Sequence, residues 1–135
     1  MGHFHFRVVI VLGALLFASA HADAQLNETL KITALDAAAN DQFGNSVAVS
    51  GNTAVVGARG NDDAGNLSGS AYVFDTTTGS QLFKLTASDA AADDFFGRSV
   101  AVSGNTAVIG ALGNSDAGSQ SGSAYIFDTT TGNQL

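Results

Sequence analysis

A chain of 135 residues with 12 acidic residues, 5 Lys and Arg and a formal charge of −7 is ill suited to nucleic acid or an anionic membrane surface, both of which repel it. It contains no Cys, so neither a disulfide scaffold nor Cys-based catalysis or zinc binding is open to it. Its 16 Gly and absence of Pro, with Asn, Ser and Thr between short Val and Ala runs, indicate many short strands joined by tight turns.

The chain opens with one basic residue, Arg7, then the apolar run Val8–Ala20. At roughly 13 residues the run is short of the ~20 that span a bilayer. Ala20-His21-Ala22 and Ala22-Asp23-Ala24 place small residues where a signal peptidase reads. Residues 1–24 are therefore expected to be a secretory signal peptide, cleaved after Ala22 or Ala24. The expected location is secreted, periplasmic or cell-surface, by bacterial export, with no membrane association after cleavage. Cleavage removes His3, His5 and His21, the only histidines. Ser-His and Cys-His nucleophile systems then have no base, and the chain is expected not to be an enzyme.

Residues 25–135 are dominated by a repeat. Aligned at an offset of 53, about 40 of 52 positions from Lys31–Leu82 and Lys84–Leu135 are identical, without a gap. The units run from about 31 to 83 and from 84 to 135. Differences gather at Arg59/Leu112, Asp62/Ser115, Asn66/Ser119 and Leu67/Gln120, which marks an exposed loop. Within a unit, Ser46–Ser50 alternates as a half-buried strand should. Gly51-Asn52 is a tight-turn signal, and Thr53–Ala58 is a second strand. A polar loop follows, then the strand Ser70–Phe74, a turn at Asp75–Gly79, and a fourth strand, Gln81–Thr86. Asp36–Asp41 is too short and Ala-rich to be a helix of consequence. Four antiparallel strands in about 53 residues is the size of one propeller blade.

The stretches FGNSVAVSGNTAVVGA (43–58) and FGRSVAVSGNTAVIGA (96–111) resemble FG-GAP repeats, the blades of the integrin α-type β-propeller. They are closest to the bacterial variant without the calcium loop. Phe43, Gly44, Phe96 and Gly97 match the FG, and Gly57, Ala58, Gly110 and Ala111 match the GA. Arg59 and Leu112 stand where the P belongs. The resemblance implies an all-β chain of two four-stranded antiparallel blades. These would be an incomplete propeller, or part of an oligomeric or longer one. Thr29–Thr33 aligns with Leu82–Thr86, so the chain is expected to begin on a fourth strand. Rings hold ~4–8 blades, and two blades leave apolar faces and strand edges exposed, so self-association or neighbouring blades are expected partners.

The calcium loop of integrin-type blades lies between the first two strands. Here that place holds Ser50–Thr53 and Ser103–Thr106, without a carboxylate, so that site is not carried over. Asp62, Asp63 and Asp116 are weak metal candidates, set against a solvated Asn/Asp turn. Calcium is the one cofactor considered, and none is expected. Asp36, Asp41, Asp89 and Asp94 recur before each Phe-Gly and are expected to cap loops, with a functional rim of acids as the sharper alternative. Asp75 and Asp128 are expected to form Asx-type turns. Phe43, Phe74, Phe96, Phe127, Tyr72 and Tyr125 recur in register and are expected to fill space between blades, with a sugar-stacking platform as the alternative. Arg59 and Arg98 lack basic counterparts, which argues against a shared role. Asn27 and Asn66 open glycosylation patterns of little weight.

The function expected is an exported, non-enzymatic propeller module that binds a protein or glycan ligand in adhesion. The alternatives are a calcium-dependent integrin-like adhesion blade and a fragment of a glycan-active propeller enzyme.

Overall fold

Ser50 and Thr53 pair across Gly51 and Asn52, and this two-residue loop sets the register of the first hairpin. Gly51 takes a φ of +55°, the sign a type II′ turn requires at its first central residue. From the turn, β1 (Phe43–Ser50) and β2 (Thr53–Ala58) run back antiparallel. β3 (Ser70–Asp75) adds to β2 and β4 (Gln81–Leu85) to β3, in the order β1-β2-β3-β4. β5 (Phe96–Ser103), β6 (Thr106–Ala111) and β7 (Ser123–Asp128) repeat the first three strands as a second sheet. This computed structural model describes residues 29–135, of which Lys31–Leu135 form one unit. The expected signal peptide and the Asn27 pattern lie outside the described residues.

The predicted strands and turns recur in the structure, with three differences. β1 and β5 begin earlier than the alternation indicates, because Phe43 and Phe96 rejoin the ladder through a bulge. Phe43 pairs with Ala58 and Ser46 with Gly57, leaving Gly44 and Asn45 unpaired, and β5 repeats this at Gly97 and Arg98. Thr29–Thr33, expected as a fourth strand, is in no ladder. Its aligned segment lies on β3, and among the described residues no third strand stands beside it. The second sheet has three strands, and its fourth is reduced to one bridge, Phe127 to Gln134. The Asp36–Asp41 bridge folds as turns.

Side chains alternate across each strand, so each sheet has two apolar faces, and the sheets stack through one face of each. Val55, Ala71 and Val73 of the first sheet form one core with Phe96, Ala107, Ile109, Ala111, Tyr125 and Phe127 of the second, and Leu85 and Ala87 join it. Val55 and Val73 are fully buried there, worth about 1.5–3 kcal/mol each. On the outer face of the first sheet, Ile32 and Ala34 pack with Ala54, Val56, Ala58, Tyr72 and Phe74. They stand where Leu85 and Ala87 stand one repeat later.

Candidate functional site

The joint between the sheets is built from the repeated dipeptides. Phe96 is wholly buried, its ring 5.6 Å from that of Tyr125 and 5.9 Å from that of Phe127. These aromatics fill space at the joint, as their repeat positions predict. Phe96 N donates to Ser68 O at 2.9 Å, and Phe96 bridges Gly69 in parallel. Ser46 Oγ donates to Gly97 O at 2.7 Å, and Asn45 Nδ2 donates to the same carbonyl at 3.2 Å. The approach is so close that a Cβ on Gly57 would enter the Gly97 carbonyl, and one on Gly97 would enter that of Ser70. The GA of the first unit thus receives the FG of the second, with Ala58 and Ala111 both fully buried. Phe43 packs on the outer face of its own sheet, 5.7 Å from Tyr72 and 5.8 Å from Phe74.

The polar loop after β2 differs from the solvated turn that composition indicates. Asn61 is buried, as is its repeat mate Asn114. Asn61 Oδ1 accepts from Ser70 Oγ at 2.9 Å, while Ser68 Oγ donates to Asn61 O at 3.2 Å and Gly69 N to the same carbonyl at 2.8 Å. The loop closes around this asparagine and presents Gly69 to Phe96. The available signal was the identity of Asn61/Asn114, Ser68/Ser121 and Ser70/Ser123 inside an otherwise variable segment. Asp62 Oδ1 accepts from Leu67 N at 2.7 Å, which shapes the exposed side of the same loop.

The four recurrent acids separate into two kinds. Asp41 and Asp94 are buried and cap their loops, accepting from Ala38 N at 2.8 Å and Ala91 N at 2.9 Å. Asp36 and Asp89 are not loop caps. Asp36 and Asp63 both pair with the Lys84 ammonium, which also stands 5.5 Å from the centroid of the Tyr72 ring. Asp63 is thereby engaged by a lysine, whereas Asp116 lies against Asp89. Asp75 and Asp128 form the expected Asx turns, accepting from Thr77 N at 2.8 Å and Thr130 N at 2.7 Å.

Charge states follow from these contacts. Burial works to raise the Asp36 carboxyl, but the hydrogen bond from the Lys84 ammonium outweighs it and holds the group below the ordinary 3.8. Burial works to lower Lys84, but Asp36 and Asp63 outweigh it and hold the ammonium above the ordinary 10.5. Burial, then Asp36, pushes the Tyr72 phenol up to about 12. In the second unit, burial and then Asp89 push Tyr125 up to about 12. The Tyr125 phenol holds Asp89 below the ordinary carboxyl range, and Asp89 raises Asp116.

Replacing Lys84 with Met keeps the stem and removes the charge. Lys84→Met is expected to cost about 1 kcal/mol near neutral pH, a small value because the side chains of Asp36 and Asp63 stay 41% and 61% exposed. A depressed Asp36 contributes stability above its unfolded pKa and loses it as pH falls through the folded value. A raised Lys84 contributes below 10.5 and loses it as pH rises through its folded value. Urea unfolding from pH 3 to 10 should therefore show the variant's deficit across the middle range and its shrinkage at the acid end.

Arg59 and Arg98, of unequal repeat position, are brought together after all. With Asn45 they line a cleft of about 310 Å³ at the joint. Arg59 Nε donates to Gln42 Oε1 at 2.7 Å, and among the described residues neither guanidinium forms a salt bridge. Sequence alignment places these arginines at non-equivalent positions, and only the stacking of one sheet on the next makes them neighbours. Two planar donors beside an amide suit a carboxylate. Among the described residues, no three His, Cys, Asp or Glu side chains converge to hold a metal.

No curated protein matches the chain. The FG-GAP repeat family matches it twice, over residues 26–74 and 80–127. Those spans contain both FG and both GA dipeptides, the four pieces that meet or wait to meet at a blade joint. With more than half its length matched and two antiparallel sheets of blade topology, the chain belongs to the FG-GAP repeat family and has the fold of β-propeller blades.

Proposed function

We propose that the chain is an exported, non-enzymatic binding module of adhesion type, taking a protein or glycan ligand at the cell envelope or outside it. The observation that carries the reading is the cleft between the blades, where Arg59 and Arg98 stand beside Asn45. On a chain of net charge −7, two guanidiniums with no carboxylate partner among the described residues select an acidic ligand, and a uronate-bearing glycan has the matching planar carboxylates. The absence of His and Cys after residue 21 supports binding without turnover.

Calorimetric titration of the full chain with a polyuronate oligosaccharide, and with a neutral glucan as control, tests this. Binding to the polyuronate alone is expected. Arg59→Ala and Arg98→Ala should each weaken it about 10-fold or more, the size of one charge-assisted hydrogen bond. Chelation of calcium should leave it unchanged, because Gly51-Asn52 carries no carboxylate. Binding by both Arg variants as tight as that of the unsubstituted chain, or new reducing ends appearing in the oligosaccharide, would overturn the reading.

A further inference from the structure

The joint has two sides, and each side occurs twice in the chain. The receiving side is the first sheet's Val55 and Val73 with the backbone of Gly57–Ala58 and Gly69–Ser70. The entering side is Phe96–Gly97 with Val100 and Val102, which pack against the shared core. The second sheet carries its own receiving side, and among the described residues nothing has entered it. Val108 and Ile126, at the repeat positions of the fully buried Val55 and Val73, are 38% and 47% exposed. Where Phe96–Gly97 would sit there is a cleft of about 430 Å³, lined by Ser99, Gly110–Leu112 and Gly122–Ala124. Its glycines and serines are the counterparts of those that accept Phe96 and Gly97 in the joint. The first sheet likewise carries an unused entering side. Val47 and Val49 are 67% and 65% exposed, and Gly44 is exposed where Gly97 is buried.

The charge cluster is half built in the same sense. Asp89, Asp116 and Tyr125 hold the repeat positions of Asp36, Asp63 and Tyr72, and among the described residues no lysine pairs with them. Tyr125 is 8% exposed. Lys31 stands at the repeat position of Lys84. It is exposed and forms no salt bridge among the described residues. It precedes Phe43 by the same twelve residues that separate Lys84 from Phe96.

We infer that a second copy of this chain occupies the open face of the second sheet, head to tail. Phe43–Gly44 of the copy fills the cleft at Gly110 and Gly122, while its Val47 and Val49 cover Val108 and Ile126. Its Lys31 enters between Asp89 and Asp116. The register follows from the first sheet, where Tyr72 pairs with Lys84, so Tyr125 on the edge of β7 pairs with Lys31 of the copy. A second copy is the fitting occupant because it presents the mating surface in both shape and charge. The contact joins two different surfaces, so it propagates, and closes into a ring where the rotation allows. The inference stands whether or not the Arg59 cleft binds a ligand.

The chain has no cysteine, which makes a directional crosslink simple to read. Lys31→Cys and Asp116→Cys chains, prepared separately and then mixed, are treated with a short bis-maleimide. A crosslinked dimer is expected in the mixture and not in either variant alone. Dimers from one variant alone would mean a face-to-face arrangement, and no crosslink at all would mean no such contact; both overturn the inference. Light scattering of the unsubstituted full chain should give an oligomer. Ile126→Asp should raise its dissociation concentration at least 10-fold. Lys31→Glu should weaken the oligomer and Lys31→Glu with Asp116→Lys should restore it. A monomer at all concentrations, or an oligomer indifferent to Ile126→Asp, overturns it.

Discussion

Gly57→Ala is expected to cost the fold about 3 kcal/mol or more, and Gly110→Ala less than about 1 kcal/mol, although the two glycines hold the same repeat position. Neither has a positive φ, so backbone strain does not distinguish them. What differs is the neighbour. A Cβ on Gly57 meets the backbone carbonyl of Gly97 and the hydroxyl of Ser46. The carbonyl belongs to the next sheet and cannot move without opening the joint, and overpacking of this kind is costly. A Cβ on Gly110 meets chiefly the Ser99 hydroxyl, which can turn to another rotamer. Urea unfolding at low protein concentration measures both. Equal costs would mean that Gly97 does not lie on Gly57 in solution.

The second large effect is at Phe96. Phe96→Ala removes a fully buried ring from between Tyr125 and Phe127 and opens a cavity in the core shared by the two sheets. About 3–5 kcal/mol is expected, a large share of the stability of a domain this small. Phe43→Ala should cost clearly less, because Phe43 is only half-buried and faces no second sheet among the described residues. The same unfolding curves compare the two. A cost at Phe43 equal to that at Phe96 would mean that the outer face of the first sheet is as well covered as the joint.

Much of this was legible along the chain. Ser50-Gly51-Asn52-Thr53 announced a hairpin because the turn chemistry is local. Asp75–Gly79 announced an Asx turn because its donor is two residues away. The 53-residue identity announced equivalent sheets. Other features were not legible, for separate reasons. Asn61 reads as a loop residue, and only closure of the loop buries it against Ser70. Asp36 and Lys84 are 48 residues apart, and nothing in either segment announces the other. Arg59 and Arg98 occupy different repeat positions and become neighbours through stacking alone. Val55 and Val108 are the same residue in the same pattern, yet one is sealed and the other open.

By itself, then, the sequence determined the strands, their turns and their antiparallel order, since these depend on side-chain period and on contacts within a few residues. The tertiary structure decided which of two identical faces is covered, which carboxylates gain a lysine and which arginines share a cleft. Those depend on how one sheet lies on the next, and a repeat that writes the same residues twice does not say which copy has a neighbour.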